Sequence, residues 1–126
     1  MSKKSISNLF FVITIFLIDR LSKYWAIKNL TIEEKFEVII FPYLSFNLIW
    51  NDGIAFGLFS FSDKYLYNIL TAFIILVTTI IFYFLLKTKG IEKYSFMMIF
   101  SGSFGNIFDR LFYQAVPDFI DIQYEY

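Results

Sequence analysis

Polar and apolar positions along this chain fall into long blocks, without the short alternation of a small soluble domain. Residues 66–86 hold no charged residue. A helix of that length, at about 1.5 Å per residue, reaches roughly 30 Å, the thickness of a bilayer's hydrocarbon core. Residues 9–27 form a second apolar run, with Asp19, Arg20 and Lys23 in its later half. Lys3 and Lys4 precede it as in a signal peptide. No small-x-small cleavage site follows, however, and the run continues through charges to Tyr24 and Trp25, so the pattern predicts a retained span. Residues 94–113 form a third run, polar only towards its end.

Between the first two runs, residues 36–61 are aromatic and β-branched, interrupted by Pro42 and by Asn51-Asp52-Gly53. Asn and Gly tolerate positive φ, so the spacing predicts two or more short strands around that turn, with an interfacial loop as the alternative. Tyr43, Phe46, Trp50, Phe56, Phe59 and Phe61 suit the headgroup zone. Gly53, Ala55 and Gly57 leave little side-chain bulk, as close approach to a ligand requires. The pattern therefore predicts an all-α membrane protein, one membrane domain over residues 1–126. It has three transmembrane helices and a small extracytoplasmic β segment at 36–61.

Charge orients these elements. The N-terminal tail has Lys3 and Lys4 and no acid, and the 87–93 loop has Lys87, Lys89 and Lys93 against Glu92. The 28–64 connection has Lys28, Lys35 and Lys64 against Glu33, Glu34, Glu37, Asp52 and Asp63. The positive-inside rule places the N-terminus and the 87–93 loop in the cytoplasm, and the long connection and the C-terminal end outside. Asp19 then lies roughly 15 Å into the first span and Lys23 roughly 21 Å; Asn106 lies roughly 18 Å into the third and Arg110 roughly 24 Å. Both polar groups fall in the outer half of the membrane.

Ionisable residues inside a membrane are costly and mark functional sites by default. Asp19 and Lys23 are four apart and share a helix face. Gly102, Asn106, Asp109 and Arg110 share another, and Gly102 and Gly105 would let a neighbouring helix approach closely. The alternative is structural: Asp19 with Lys23, and Asp109 with Arg110, neutralise one another and hold a bundle together. Asp118 fits that alternative less well, because no basic residue follows it.

Composition narrows the chemistry. The chain is 58% hydrophobic and 23% aromatic, above the apolar share of soluble domains, which supports a membrane protein. Net charge is zero, so nothing points to nucleic acid. There is no Cys and no His, which excludes thiol and imidazole catalysis, disulfides and the usual zinc sites. No metal or cofactor is expected. Chemistry falls to carboxylates, hydroxyls, Lys or Arg. A transporter or assembly subunit with a charge relay would spread ionisable residues through the membrane depth, whereas here they crowd one half.

Four stretches carry a resemblance: "DRLSK" (19–23), "NDGIAFG" (51–57), "GNIFDR" (105–110) and "VPDFID" (116–121). In this order they resemble the sequence blocks of lipoprotein signal peptidase, signal peptidase II. The resemblance implies a four-helix aspartic protease of the bacterial inner membrane with its active site at the periplasmic face. It would remove signal peptides from diacylglyceryl-modified prolipoproteins, cutting before the lipidated cysteine, among membrane lipids and without a cofactor.

By the same resemblance Asp118 is one catalytic aspartate. Asn51, Gly53, Asn106, Asp109 and Arg110 stand near substrate or site, and Asp19 and Lys23 hold the first helix against it. Pro117 departs from the family, which often has an apolar residue such as Val there. The family's second catalytic aspartate lies in an F-N-x-A-D block that opens a fourth helix. These 126 residues contain no such block. The expectation is a chain without the second carboxylate, active only when that segment is supplied. The alternative is a non-catalytic homologue that packs in the membrane or binds lipidated peptide.

Overall fold

The computed structural model describes residues 1–30, 38–54, 58–59 and 62–122. The expectations for Ala55, Phe56, Gly57 and Phe61 lie outside the described residues. Three helices and three strands follow in the order α1 (Lys3–Leu30), β1 (Val38–Phe41), β2 (Leu44–Asn51), α2 (Lys64–Lys87), α3 (Glu92–Tyr113) and β3 (Val116–Ile122). All three apolar runs are helical, and α1 extends well beyond the expected 9–27 at both ends.

Helix ends follow local chemistry. Asp63 caps α2, its carboxylate accepting from the Tyr65 N–H at 2.7 Å. Lys87 stands in the last turn of α2, where a cation suits the negative end of the helix dipole. Gly90, at φ 77°, turns the chain from α2 into α3. Gln114 ends α3 in the left-handed region, at φ 60°, with its N–H on the Arg110 carbonyl at 3.1 Å. That turn throws the chain back as β3.

Among the described residues, α1 and α2 are long and apolar enough to cross a membrane; α3 is not one of these. The most apolar stretch of α2 is only 17% buried and that of α1 not at all, so neither is the core helix of a soluble protein. Phe10, Leu21, Phe73, Leu111 and Phe112 all point outward, exposed. An apolar surface of this extent needs lipid around it. Between α2 and α3 the contacts combine hydroxyls and rings: Thr78 Oγ1 and Ser103 Oγ share a hydrogen bond, Phe82 meets Phe100 and Phe84 meets Phe96, with ring centroids 5.1 and 6.1 Å apart.

The strands form one antiparallel sheet in the order β1-β2-β3. Two expectations are corrected. The β1–β2 hairpin turns at Pro42-Tyr43; Asn51-Asp52-Gly53 does not separate two strands but closes β2. Pro presets φ for a turn, and Asn51 finds a better use for its side chain, described below. The sheet also extends past 36–61, because β3 pairs along β2: Ser45 faces Asp121, Ile49 faces Asp118 and Asn51 faces Val116. An irregularity between Phe46 and Ile49 inserts one extra residue into β2. Trp25 of α1 meets Phe46, Phe46 meets Phe119, and Trp50 meets Tyr113, with ring centroids 6.2, 5.9 and 5.5 Å apart. These rings seat the sheet on the ends of α1 and α3.

Candidate active site

The polar residues separate into two groups. The first lies between α1 and α3 and centres on Asp109, which is fully buried. Arg20 grips its carboxylate with both terminal nitrogens, Nη1 to Oδ1 at 2.6 Å and Nη2 to Oδ2 at 2.9 Å. Lys23 Nζ donates to the same Oδ2 at 2.6 Å and to Asn106 Oδ1 at 2.8 Å. Asp19 completes the group, 3.0 Å from Lys23 Nζ and 2.6 Å from Arg20 Nη2. Two cations thus meet two carboxylates, and the bidentate Arg–carboxylate geometry is the strongest form of such a pair. The guanidinium also lies 4.8 Å from the Phe108 ring centroid, close enough for a cation–π contact.

Gly105 admits this cluster. Arg20 Nη2 donates to its carbonyl at 3.1 Å. A Cβ on Gly105 would lie 2.9 Å from Asp19 Cγ and nearer still to Oδ2. A Cβ on Gly102 would meet open space, so of these two glycines Gly105 alone provides the expected close approach. The i, i+4 pairing of Asp19 with Lys23 is present. Asp109 does not pair with Arg110: neighbours on a helix point about 100° apart, and Asp109 turns to α1. Arg20 is the member that sequence reasoning left out. Its signal was charge arithmetic, since Asp109 needs a cation from another helix once Arg110 is committed elsewhere.

The second group lies where the sheet meets the end of α3. Asn51 Nδ2 donates to Asp118 Oδ2 at 3.0 Å and to the Ile54 carbonyl at 2.7 Å, while its Oδ1 accepts the Gly53 N–H at 2.8 Å. This is an Asx turn, and it is why Asn51 closes β2. Asn51 and Asp118 are diagonal neighbours across the β2–β3 pair. The Gly53 carbonyl accepts from Arg110 Nη2. Arg110 is buried, 6% exposed, and its Nε and Nη1 have no partner among the described residues. Asp118 is exposed. Asp121 stands on β3 opposite Ser45 and accepts from Asn47 Nδ2 at 3.0 Å.

Asn51, Gly53, Arg110 and Asp118 are therefore drawn together from three segments, as expected. Asp19, Lys23, Asn106 and Asp109 form a separate cluster that fastens α1 to α3, with Asp109 and Arg110, adjacent in α3, serving different clusters. Among the described residues no group of carboxylates could hold a metal ion.

Residues 11–126 match the family model described as signal peptidase (SPase) II. The chain belongs to the signal peptidase II family. It is accordingly a protease. Among its relatives, the lipoprotein signal peptidase of Pelagibacter ubique is 42% identical over 117 residues, covering 93% of this chain and 70% of that protein. That of Wigglesworthia glossinidia brevipalpis is 42% identical over 125 residues, covering 94% of this chain and 76% of its own length. A solved bacterial membrane enzyme has the same fold, with a TM-score of 0.71 at 22% identity over 93% of this chain and 70% of that one. Fold and family together make this signal peptidase II homologue a bacterial membrane protein.

Proposed function

We propose that this chain is an aspartic endopeptidase that removes signal peptides from diacylglyceryl-modified prolipoproteins, cutting before the lipidated cysteine, with Asp118 as a catalytic carboxylate. The observation that carries the reading is Asp118 itself. It is the exposed carboxylate of the second cluster, oriented by Asn51, whose turn is anchored through Gly53 to the buried Arg110. The relatives' name, lipoprotein signal peptidase, supports the substrate class.

Aspartic proteolysis needs two carboxylates that hold one proton, because two like charges at close range cannot both ionise. The ionised member takes a proton from water as the water oxygen attacks the scissile carbonyl. The protonated member polarises that carbonyl and then protonates the departing amine as the C–N bond breaks. Asp19 and Asp109 are committed to Arg20 and Lys23. Asp121 follows Asp118 by three positions on one strand, and odd spacings in a strand point to opposite faces. The family resemblance assigns the second carboxylate of the dyad to the F-N-x-A-D block. Arg110, whose buried Nε and Nη1 have no partner among the described residues, is the cation that this reading sets beside the dyad.

The membrane arrangement belongs to the same proposal. A single domain crosses the bilayer three times, with α3 as third span, the N-terminus and the 87–93 loop cytoplasmic, and Asp118 at the periplasmic face of the inner membrane. Internal neutralisation of Asp109 supports placing α3 in lipid. A topology reporter after Lys89 should read cytoplasmic and one after Asp63 periplasmic; the reverse result overturns the orientation. The catalytic assignment is tested by cleavage of a diacylglyceryl-modified prolipoprotein by the chain joined to a family-type C-terminal segment. Asp118→Asn should abolish it, and survival of cleavage overturns the assignment.

A further inference from the structure

We propose that a cleft at the opposite end of the bundle from Asp118 binds one anionic phospholipid, headgroup at the mouth and acyl chain inside. The cleft lies among the start of α1, the end of α2 and the start of α3, with a volume of about 270 Å³. Its walls are apolar, with Val12, Leu85 and Met97 among them. Leu85 and Met97 are buried, so the wall is a fixed surface. Ser5, Asn8 and Lys93 are its polar members.

Charge complementarity names the occupant. Lys3, Lys4, Lys87, Lys89 and Lys93 gather at this end against Glu92 as the one acid. The side chains of Lys93 and Asn8 engage no other side chain among the described residues, whereas Lys87 lies 5.7 Å from the Tyr83 ring. An ammonium and a carboxamide beside an apolar slot match a phosphodiester followed by an acyl chain. A zwitterionic lipid would bring its own cation to the lysines. The volume suits part of one acyl chain rather than a whole lipid, so the second chain stays in the bilayer. This inference rests on the membrane reading but not on the role of Asp118.

Native mass spectrometry of the full chain tests it, with dioleoylphosphatidylglycerol and dioleoylphosphatidylcholine competing in one micelle. A single phosphatidylglycerol should be retained about five-fold over phosphatidylcholine, as one lysine near an anionic surface would give. Lys93→Gln should remove most of that preference, whereas Lys87→Gln should leave it largely in place. Val12→Phe, which fills the slot, should lower retention of phosphatidylglycerol while all lysines remain. Equal retention of both lipids overturns the proposal. So does an equal loss with Lys93→Gln and Lys87→Gln, which would mark diffuse attraction, and so does a dimer that excludes lipid, which would mark the cleft as an interface between copies. Asp118→Asn should keep the lipid preference even if the catalytic assignment fails.

Discussion

The two polar clusters use the same residue types to opposite ends. Around Asp109, every charge is matched: Arg20 and Lys23 against Asp19 and Asp109, with Asn106 on the lysine. Around Asp118, the matching is incomplete. Among the described residues, Arg110 is buried with two nitrogens unpartnered, and Asp118 is exposed with a single hydrogen bond, from Asn51. A buried unpartnered donor costs about 1–3 kcal/mol. A fold keeps such a cost where a ligand repays it. The closed cluster therefore reads as a fastening and the open one as a site.

The largest expected effect follows from that division. In the chain joined to a family-type C-terminal segment, Asp118→Asn should lower cleavage at least about a hundred-fold, because an amide can neither act as general base nor share the dyad proton. Its thermal stability in detergent should stay near that of the parent. Loss of the fold together with loss of cleavage would show that the open cluster is a fastening too, and the comparison would break.

The converse is expected of Asp109. Asp109→Asn leaves Arg20 and Lys23 facing one carboxylate, and breaking a buried pair from one side costs about 3–5 kcal/mol. Unfolding in detergent should report it. Adding Arg20→Gln restores one cation to one carboxylate and should recover part of the loss, a coupling that a double-mutant cycle measures. Strict additivity would mean that Arg20 and Asp109 do not act as a unit.

Gly105 sharpens the picture at smaller magnitude. Gly105→Ala drives a methyl into the Asp19 carboxylate, which Arg20 and Lys23 already hold. Overpacking of this kind costs about 1–3 kcal/mol. Gly102→Ala, with open space at that position, should cost nothing measurable and serves as the control. Equal losses at both glycines would point to helix geometry rather than to the cluster.

How much of this was legible beforehand depended on the range of the interaction. Residues 66–86 announce a helix by themselves, because uninterrupted apolar length is a local property. Asp19 and Lys23 announce their pairing by spacing. The partner of Asp109 was hidden, since it depends on how α1 and α3 are rotated against each other. Proximity along the chain favoured Arg110, and the geometry favoured Arg20. β3 was hidden for the same reason. "VPDFIDI" has no strict alternation, and its strand character comes from pairing with β2, some seventy residues earlier in the chain. The turn at Asn51 was legible as turn chemistry but misplaced as a hairpin. The family blocks named Asn51, Arg110 and Asp118, which the structure brings into one cluster, but they said nothing of the sheet that gathers them.

The smallest effect is expected at Asp121, and it bears directly on where the second carboxylate lies. Asp121 shares β3 with Asp118 but stands opposite Ser45, on the other face, and accepts from Asn47. Asparagine at that position keeps a side-chain oxygen that can accept the same hydrogen bond. A substitution that preserves its contact usually changes stability by no more than about 0.5 kcal/mol. Asp121→Asn should therefore leave cleavage within about two-fold of the parent, the same energy read as a rate. Should it instead abolish cleavage as Asp118→Asn does, the two carboxylates of one strand would have to converge, which an unbroken pleat forbids. The site would then include a bend in β3 beyond the irregularity already present in β2, and the dyad would lie within this strand rather than in the F-N-x-A-D block.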